Sequence, residues 1–148
     1  MKGILLSQRK YVLDMLSEAG MLGYRSSDSP MDVNSKLLSD QGKLLKDVGQ
    51  YKRLVGKLNY LTVTRPDITF TVSVVSQFFS APRTTHLNAV MRILRYLKNA
   101  PGRGILYSDQ GHTKIAGFFD AYWVGCSFDR RFTTRYCLYR MKFGVIKK

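Results

Sequence analysis

Apolar residues recur at helical spacing through one long stretch, Tyr51 to Gly104, and the expected fold is organised around it. Tyr51, Leu54, Val55, Leu58 and Leu61 form a stripe on a helix expected over about Val48 to Val63, with Lys52, Arg53, Lys57 and Asn59 largely off the stripe. Thr64-Arg65-Pro66-Asp67 interrupts the pattern, and Pro66 suits the first position of a second helix reaching about Phe79. That segment, PDITFTVSVVSQFFS, is apolar nearly all round and is expected to be buried; its β-branched content keeps a strand reading open. Ala81-Pro82 ends it. A third helix over about Thr85 to Asn99 then buries Leu87, Val90, Met91, Leu94 and Leu97, leaving Arg92, Arg95 and Tyr96 together on the other side with Asn88 and Asn99.

Before this stretch, Gly3 to Leu6 reads as the end of a strand, with Ser7 placed to cap a helix over about Gln8 to Ala19 and Gly20 placed to stop it. Tyr11, Val12, Met15, Leu16 and Ala19 are its apolar face, and Asp14 and Glu18 read as solvated charge. From Gly23 to Asp47 periodicity fades and Ser, Asp, Asn and Gly accumulate, a connecting segment that either packs across the surface or links two subdomains. Pro101-Gly102-Arg103-Gly104 is a turn. After it come short β-type runs, Gly104 to Tyr107, Lys114 to Asp120 and Phe132 to Tyr139. The expected fold class is α+β: three packed helices followed by an incomplete antiparallel sheet of two or three strands, with an unpaired edge.

Charge changes this picture more than composition does. The chain carries 24 Lys and Arg against 10 acidic residues, a formal net charge of +14, spread through folded segments, so a polyanion is the expected partner and nucleic acid comes ahead of an acidic membrane. The alternative is a basic surface that serves only solubility. The ridge of Arg92 and Arg95 beside Tyr96 fits a tracker of the phosphate backbone. Cys126 and Cys137 lack metal-ligand spacing and read as free thiols; His86 and His112 read as surface or turn residues. No apolar run approaches the roughly 18 residues that span a bilayer, and MKGILLSQRKY has no signal-peptide pattern, so an intracellular, soluble protein is expected, cytoplasmic or nuclear, with no membrane partner.

Catalytic candidates are sparse. There is a single Glu and no Ser, His and Asp grouping, and two-metal phosphoryl chemistry needs several converging carboxylates. Asp120, at the end of the apolar run IAGFF, has the right kind of position. Asp109 and Asp129 read as surface-loop residues.

The segments SQRKYVLDMLSEAGM, YKRLVGKLNYLTVTRPDITFTVSVVSQF, HLNAVMRILRYLKNAPGRGILY and GFFDAYWVGCSFDRR run in order over nearly the whole chain. Together they resemble the C-terminal part of the reverse transcriptase and the start of the ribonuclease H domain of copia-type LTR retrotransposon polyproteins. The resemblance implies a strand and helix from the palm and thumb junction over 1–22, a connecting segment over 23–47, a thumb-like three-helix unit over 48–100 and a truncated ribonuclease H-like β segment over 101–148. It begins downstream of the family's Tyr-x-Asp-Asp polymerase motif, so polymerase chemistry is implied for the parent and denied to this chain. A thumb grips template-primer duplex through its backbone, which makes Lys52, Arg53, Lys57, Arg92 and Arg95 the candidate phosphate contacts.

The family's ribonuclease H part opens with Asp-Ala-Asp-Trp-Ala-Gly, here Asp120-Ala121-Tyr122-Trp123-Val124-Gly125. Asp120 therefore inherits by position the role of a catalytic ligand to Mg2+, the parent family's cofactor. Tyr122 has replaced the second Asp, and Arg135 stands where the family has Gly. One ligand cannot hold two cations, so no nuclease activity and no stably bound metal are expected of the chain alone. The leading expectation is an inactive Pol fragment with residual, non-specific binding to duplex or RNA–DNA hybrid. The alternatives are a module that docks on an intact polymerase or host protein, with self-association through exposed apolar surface, and an active hybrid ribonuclease.

Overall fold

The stripe of Tyr51, Leu54, Val55, Leu58 and Leu61 is fully buried on a helix (α2, Val48–Leu61) in the computed structural model. This structure describes residues 3–32, 37–108, 116–122, 133–139 and 143–144. Asp47 starts α2 by accepting a hydrogen bond from the Gln50 N–H at 2.8 Å, which satisfies one of the helix's free first-turn donors. The preceding elements are a strand (β1, Gly3–Leu6) and a helix (α1, Arg9–Glu18) that buries Val12, Met15 and Leu16. Gly20, at φ 67°, terminates α1: its N–H bonds to Ser17 O while the Met21 N–H reaches back to Leu16 O at 2.8 Å. Ser7 does not cap α1. Gln8 holds the cap position with no side-chain bond, and Ser7 Oγ donates instead to Gly102 O.

The segment after α2 is helical, not a strand, and it is shorter and less buried than its composition predicts. A 3-10 turn, Pro66–Ile68, with Pro66 in the first position, leads into α3 (Thr69–Ser76). Only the face bearing Ile68, Thr71, Val72 and Val75 is buried, and Phe70 is 70% exposed. Its neighbours cover one side, and Ser73 and Ser76 satisfy the other by donating back to Phe70 O and Val72 O. Tyr51 ties α2 to α3 through a buried bond from its hydroxyl to Val75 O, and burial raises the phenol's pKa.

The next helix (α4, Thr84–Asn99) buries Val90, Leu94 and Leu97 as expected, and also Ile93 and His86, while Leu87 and Met91 are partly covered. Buried residues from all four helices form one core. Each fully buried aliphatic side chain contributes about 1.5–3 kcal/mol.

A polar knot holds the far ends of these elements together. Arg65 is fully buried, and its guanidinium donates Nε and Nη2 to the two oxygens of Asp67, both at 2.9 Å, and Nη1 to Ala100 O. Asp67 Oδ2 also accepts from the Tyr96 hydroxyl at 2.8 Å and from Arg103 Nη1 at 3.1 Å. The Arg65 and Arg103 guanidinium carbons lie 5.6 and 5.9 Å from the Tyr96 ring centroid. Burial pushes the Asp67 carboxyl up, but hydrogen bonds from Arg65, Tyr96 and Arg103 outweigh it and hold the group below its ordinary range. Gly104 follows directly, where a Cβ would lie 2.0 Å from Leu6 O, so only glycine fits.

The β part has strands β2 (Ile105–Ser108), β3 (Ala116–Tyr122), β4 (Thr133–Tyr139) and β5 (Phe143–Gly144). One sheet has the order β1-β2-β5, with β2 and β5 antiparallel; in the other, β3 and β4 pair antiparallel from Ala116↔Tyr139 to Tyr122↔Thr133. The fold is α+β with an incomplete sheet. The chain divides into two compact units, Leu6–Ile105, and Met1–Leu5 with Leu106–Val145.

Replacing Asp67 by Asn strands the buried Arg65 charge. Urea unfolding should show a loss of about 3–5 kcal/mol, against under about 1 kcal/mol for Asp14→Asn, which disturbs only an exposed pair with Lys10.

Candidate nucleic-acid interface

Because the inward positions of α2 are filled by its apolar stripe, Lys52, Arg53 and Lys57 project from its other faces. α1 runs antiparallel beside α2: Glu18 at the end of α1 meets Arg53 and Lys57, while Tyr11 near its start packs edge-on against Tyr60 at 5.4 Å. Glu18 Oε1 is 3.0 Å from Arg53 Nε, and Oε2 accepts from Lys57 Nζ. The Lys57 hydrogen bond, together with the charges of Lys57 and Arg53, holds the Glu18 carboxyl below its ordinary pKa. Lys52 is exposed and makes no hydrogen bond or ion pair among the described residues.

The two α4 candidates have a different setting. The connecting segment lies along α4 as a strap, and side chains of the helix hold its carbonyls. Arg92 donates Nη2 to Ser29 Oγ at 2.9 Å and Nε to Ser29 O at 3.4 Å, and its Nη1 lies 3.6 Å from Asp32. Arg95 donates Nε to Arg25 O at 2.8 Å, and Ser27 N–H returns a bond to Arg95 O. Lys98 reaches Leu22 O and Tyr24 O, Arg83 reaches Ser39 O and Gly42 O, and Thr85 reaches Gln41 O. Tyr96, expected on the basic ridge, is instead tied into the Asp67 knot. A cavity of about 350 Å³ opens between strap and helix, lined in part by Met31, Leu37, Asn88 and Ala89.

His86 corrects the surface or turn reading. It is fully buried, stacked on Phe78 at 3.8 Å, with Nδ1 accepting the Arg83 N–H and Nε2 bonded to Leu38 O. It both caps α4 and pins the strap. His112 lies outside the described residues, as do Asp109, Asp129, Cys126 and Trp123.

Asp120 is on β3 in register with Arg135 of β4. Among the described residues, no group of three or more His, Cys, Asp or Glu side chains is placed to hold a metal ion. No described helix is long and apolar enough to cross a membrane.

The chain is 39% identical over 137 residues to the retrovirus-related Pol polyprotein from transposon RE1 of Arabidopsis thaliana, covering 93% of this chain and 9% of that protein. The Pol polyprotein from transposon RE2 of the same plant is 37% identical over 138 residues, with 93% and 10% covered. The Arabidopsis mitochondrial protein AtMg00240 is 44% identical over 78 residues, which are 53% of this chain and 70% of that protein. The chain belongs to the copia-type retrotransposon Pol family. It spans about a tenth of the Pol polyproteins it matches. No family model and no solved structure matches it.

In this Pol segment, three stretches that carry the sequence resemblance, TRPDI, RILRYLK and APGRG, converge on one structural feature: Arg65, Asp67, Tyr96, the Ala100 carbonyl and Arg103 are the knot. Sequence reasoning left open whether the connecting segment packs across the surface, and it missed the knot, which joins Arg65 and Asp67 to Tyr96, Ala100 and Arg103 some 29 to 36 residues on. The one available signal was the Arg-Pro-Asp interruption, a charged pair flanking a helix-initiating proline.

The His86 ring fits its site as the neutral form, since Nδ1 must accept. Burial lowers its pKa below the ordinary 6.5, the Arg83 charge adds to this, and the Leu38 bond opposes it. The unfolded chain thus binds the proton more readily, and the contribution is full above about pH 6.5 and declines as pH falls below that value. Thermal midpoints should drop between about pH 7 and pH 5, and His86→Gln, though less stable, should flatten that dependence.

Proposed function

We propose that this Pol segment is a thumb-like and connection-like unit that contacts the phosphate backbone of duplex nucleic acid, including RNA–DNA hybrid, without sequence preference, and has no catalytic activity alone. The observation that carries the reading is α2, where the exposed Lys52 and Arg53 and the half-buried Lys57 lie off a stripe of five buried residues in a chain with net charge +14. Exposed cations on a rigid helix neutralise phosphates and release counterions. Arg92 and Arg95 are assigned a different task, holding the strap to α4. The relatives' names support a Pol origin, and the nucleic-acid reading rests on the geometry of α2. The sequence, in which Tyr122 and Arg135 stand in place of the family's Asp and Gly beside the inherited Asp120, supports the inactive reading, and Mg2+-dependent hybrid cleavage abolished by Asp120→Asn would reverse it.

A second reading, docking on another protein, is favoured by the large apolar side chains left in solvent on α2, α3 and the turn between them: Tyr60, Val63 and Phe70. A monomer at all concentrations in size-exclusion chromatography would count against self-association through them.

Fluorescence anisotropy with an RNA–DNA hybrid tests the leading reading. Five phosphate contacts give a log–log salt slope of about −4 to −5, and three give about −3. Lys52→Gln/Arg53→Gln/Lys57→Gln should therefore remove most of the salt dependence, whereas Arg92→Gln/Arg95→Gln should lower stability and leave the slope nearly unchanged. No association of wild type at low salt would remove the reading.

A further inference from the structure

One carboxylate holds two cations at the seam of α1 and α2. Glu18 presents one oxygen to Arg53 and the other to Lys57, the pattern in which a backbone phosphate would share its oxygens between the same side chains. Helix stability does not account for a glutamate here. Glu18 ends α1, where negative charge opposes the helix dipole, and it is the chain's single Glu. The contact is at the solvent edge: the Arg53, Glu18 and Lys57 side chains are 58%, 40% and 29% exposed, so water and salt screen it, most at Arg53. A pair of this kind is held weakly and can be exchanged.

Resting on the reading of α2 as a phosphate-contacting face, we propose that Glu18 is an internal competitor for a phosphate seat formed by Arg53 and Lys57, so that the segment engages polyanions in preference to isolated phosphate groups. A strand already held at Lys52 presents its next phosphate at high effective concentration and displaces the carboxylate. A free phosphate has no such tether and competes with a carboxylate that is always present. Glu18 sets the threshold between the two.

The test compares wild type, Glu18→Gln and Asp14→Asn in hybrid-binding anisotropy over a salt series, with circular dichroism to establish that each is folded. Asp14→Asn adds the same net charge one helical turn from Glu18, at a carboxylate that pairs with Lys10 and with neither Arg53 nor Lys57. Glu18→Gln should bind about three- to fivefold more tightly than wild type at low salt, with a salt slope steeper by about one, and should become sensitive to competition by inorganic phosphate. Asp14→Asn should show less than about half of that gain. Adding Arg53→Gln/Lys57→Gln to the Glu18→Gln chain should erase it. If wild type binds and Glu18→Gln matches Asp14→Asn in affinity, slope and phosphate sensitivity, the competitor role is wrong while the α2 reading stands. If neither wild type nor Glu18→Gln binds hybrid, the α2 reading itself fails.

Discussion

The buried Arg65 guanidinium is the constraint on which the helical unit depends. A cation taken out of water must be paired and hydrogen-bonded, and Arg65 achieves this by drawing on three separate parts of the chain. Asp67 supplies the counter-charge two residues on, which fixes the tight path around Pro66. Ala100 supplies a carbonyl from the C-cap of α4, and Arg103 and Tyr96 complete the shell around Asp67. The start of α3, the last turn of α4 and the Pro101–Gly104 turn are therefore placed by one electrostatic node. Arg103 Nε is left buried without a partner among the described residues. The node carries two guanidiniums for one carboxylate, and Tyr96 meets the excess with its ring and with a hydroxyl that accepts from Arg103 Nη1 at 2.7 Å.

A strongly basic composition is not the same as a basic binding surface. Much of the charge on α4 is turned toward the chain's own backbone: Arg83, Arg92, Arg95 and Lys98 each hold carbonyls of the strap. These carbonyls belong to a segment with few buried side chains and little regular structure, so it cannot satisfy its own backbone groups or dock by apolar burial. Cationic side chains with long apolar stems solve both problems, lying along the helix and capping carbonyls at its margin. On α2 the exposed cations Lys52 and Arg53 and the half-buried Lys57 instead lie off the apolar stripe, beside the exposed Tyr60.

What the sequence made legible follows from the range of the interactions involved. Every buried position of α2 could be read, because a stripe of five residues at helical spacing is a local pattern that tertiary contacts only reinforce. Gly20 as a helix stop and Pro66 as a helix start were legible for the same reason. α3 was not: TFTVSVVS looks uniformly apolar, yet Phe70 faces water because only one side of that helix has neighbours. His86 is a sharper case. Two of its partners, the Arg83 N–H and Phe78, are near it in the chain, but the third, Leu38 O, reaches it only through the strap, 48 residues away. Among the candidate site residues, sequence placed Lys52, Arg53 and Lys57 on the outward side of α2, but it could not show that Glu18 would sit between two of them, nor that Arg92 and Arg95 would face a loop.

The charges on α1 bear on how this seam is held. Arg9 and Lys10 occupy its first turn and Glu18 its last, so both ends oppose the macrodipole. A helix of ten residues with no side-chain N-cap gains nothing from such an arrangement, and its stability must come from Val12, Met15 and Leu16 in the core and from the hydrogen-bonded Gly20 stop. Arg53 and Lys57 then offset the misplaced carboxylate from the neighbouring helix. The Glu18 contact is thus a consequence of packing α1 against α2, not its cause. Arg53 at 58% and Glu18 at 40% exposure leave that contact at the solvent edge, with the buried residues of both helices beneath it.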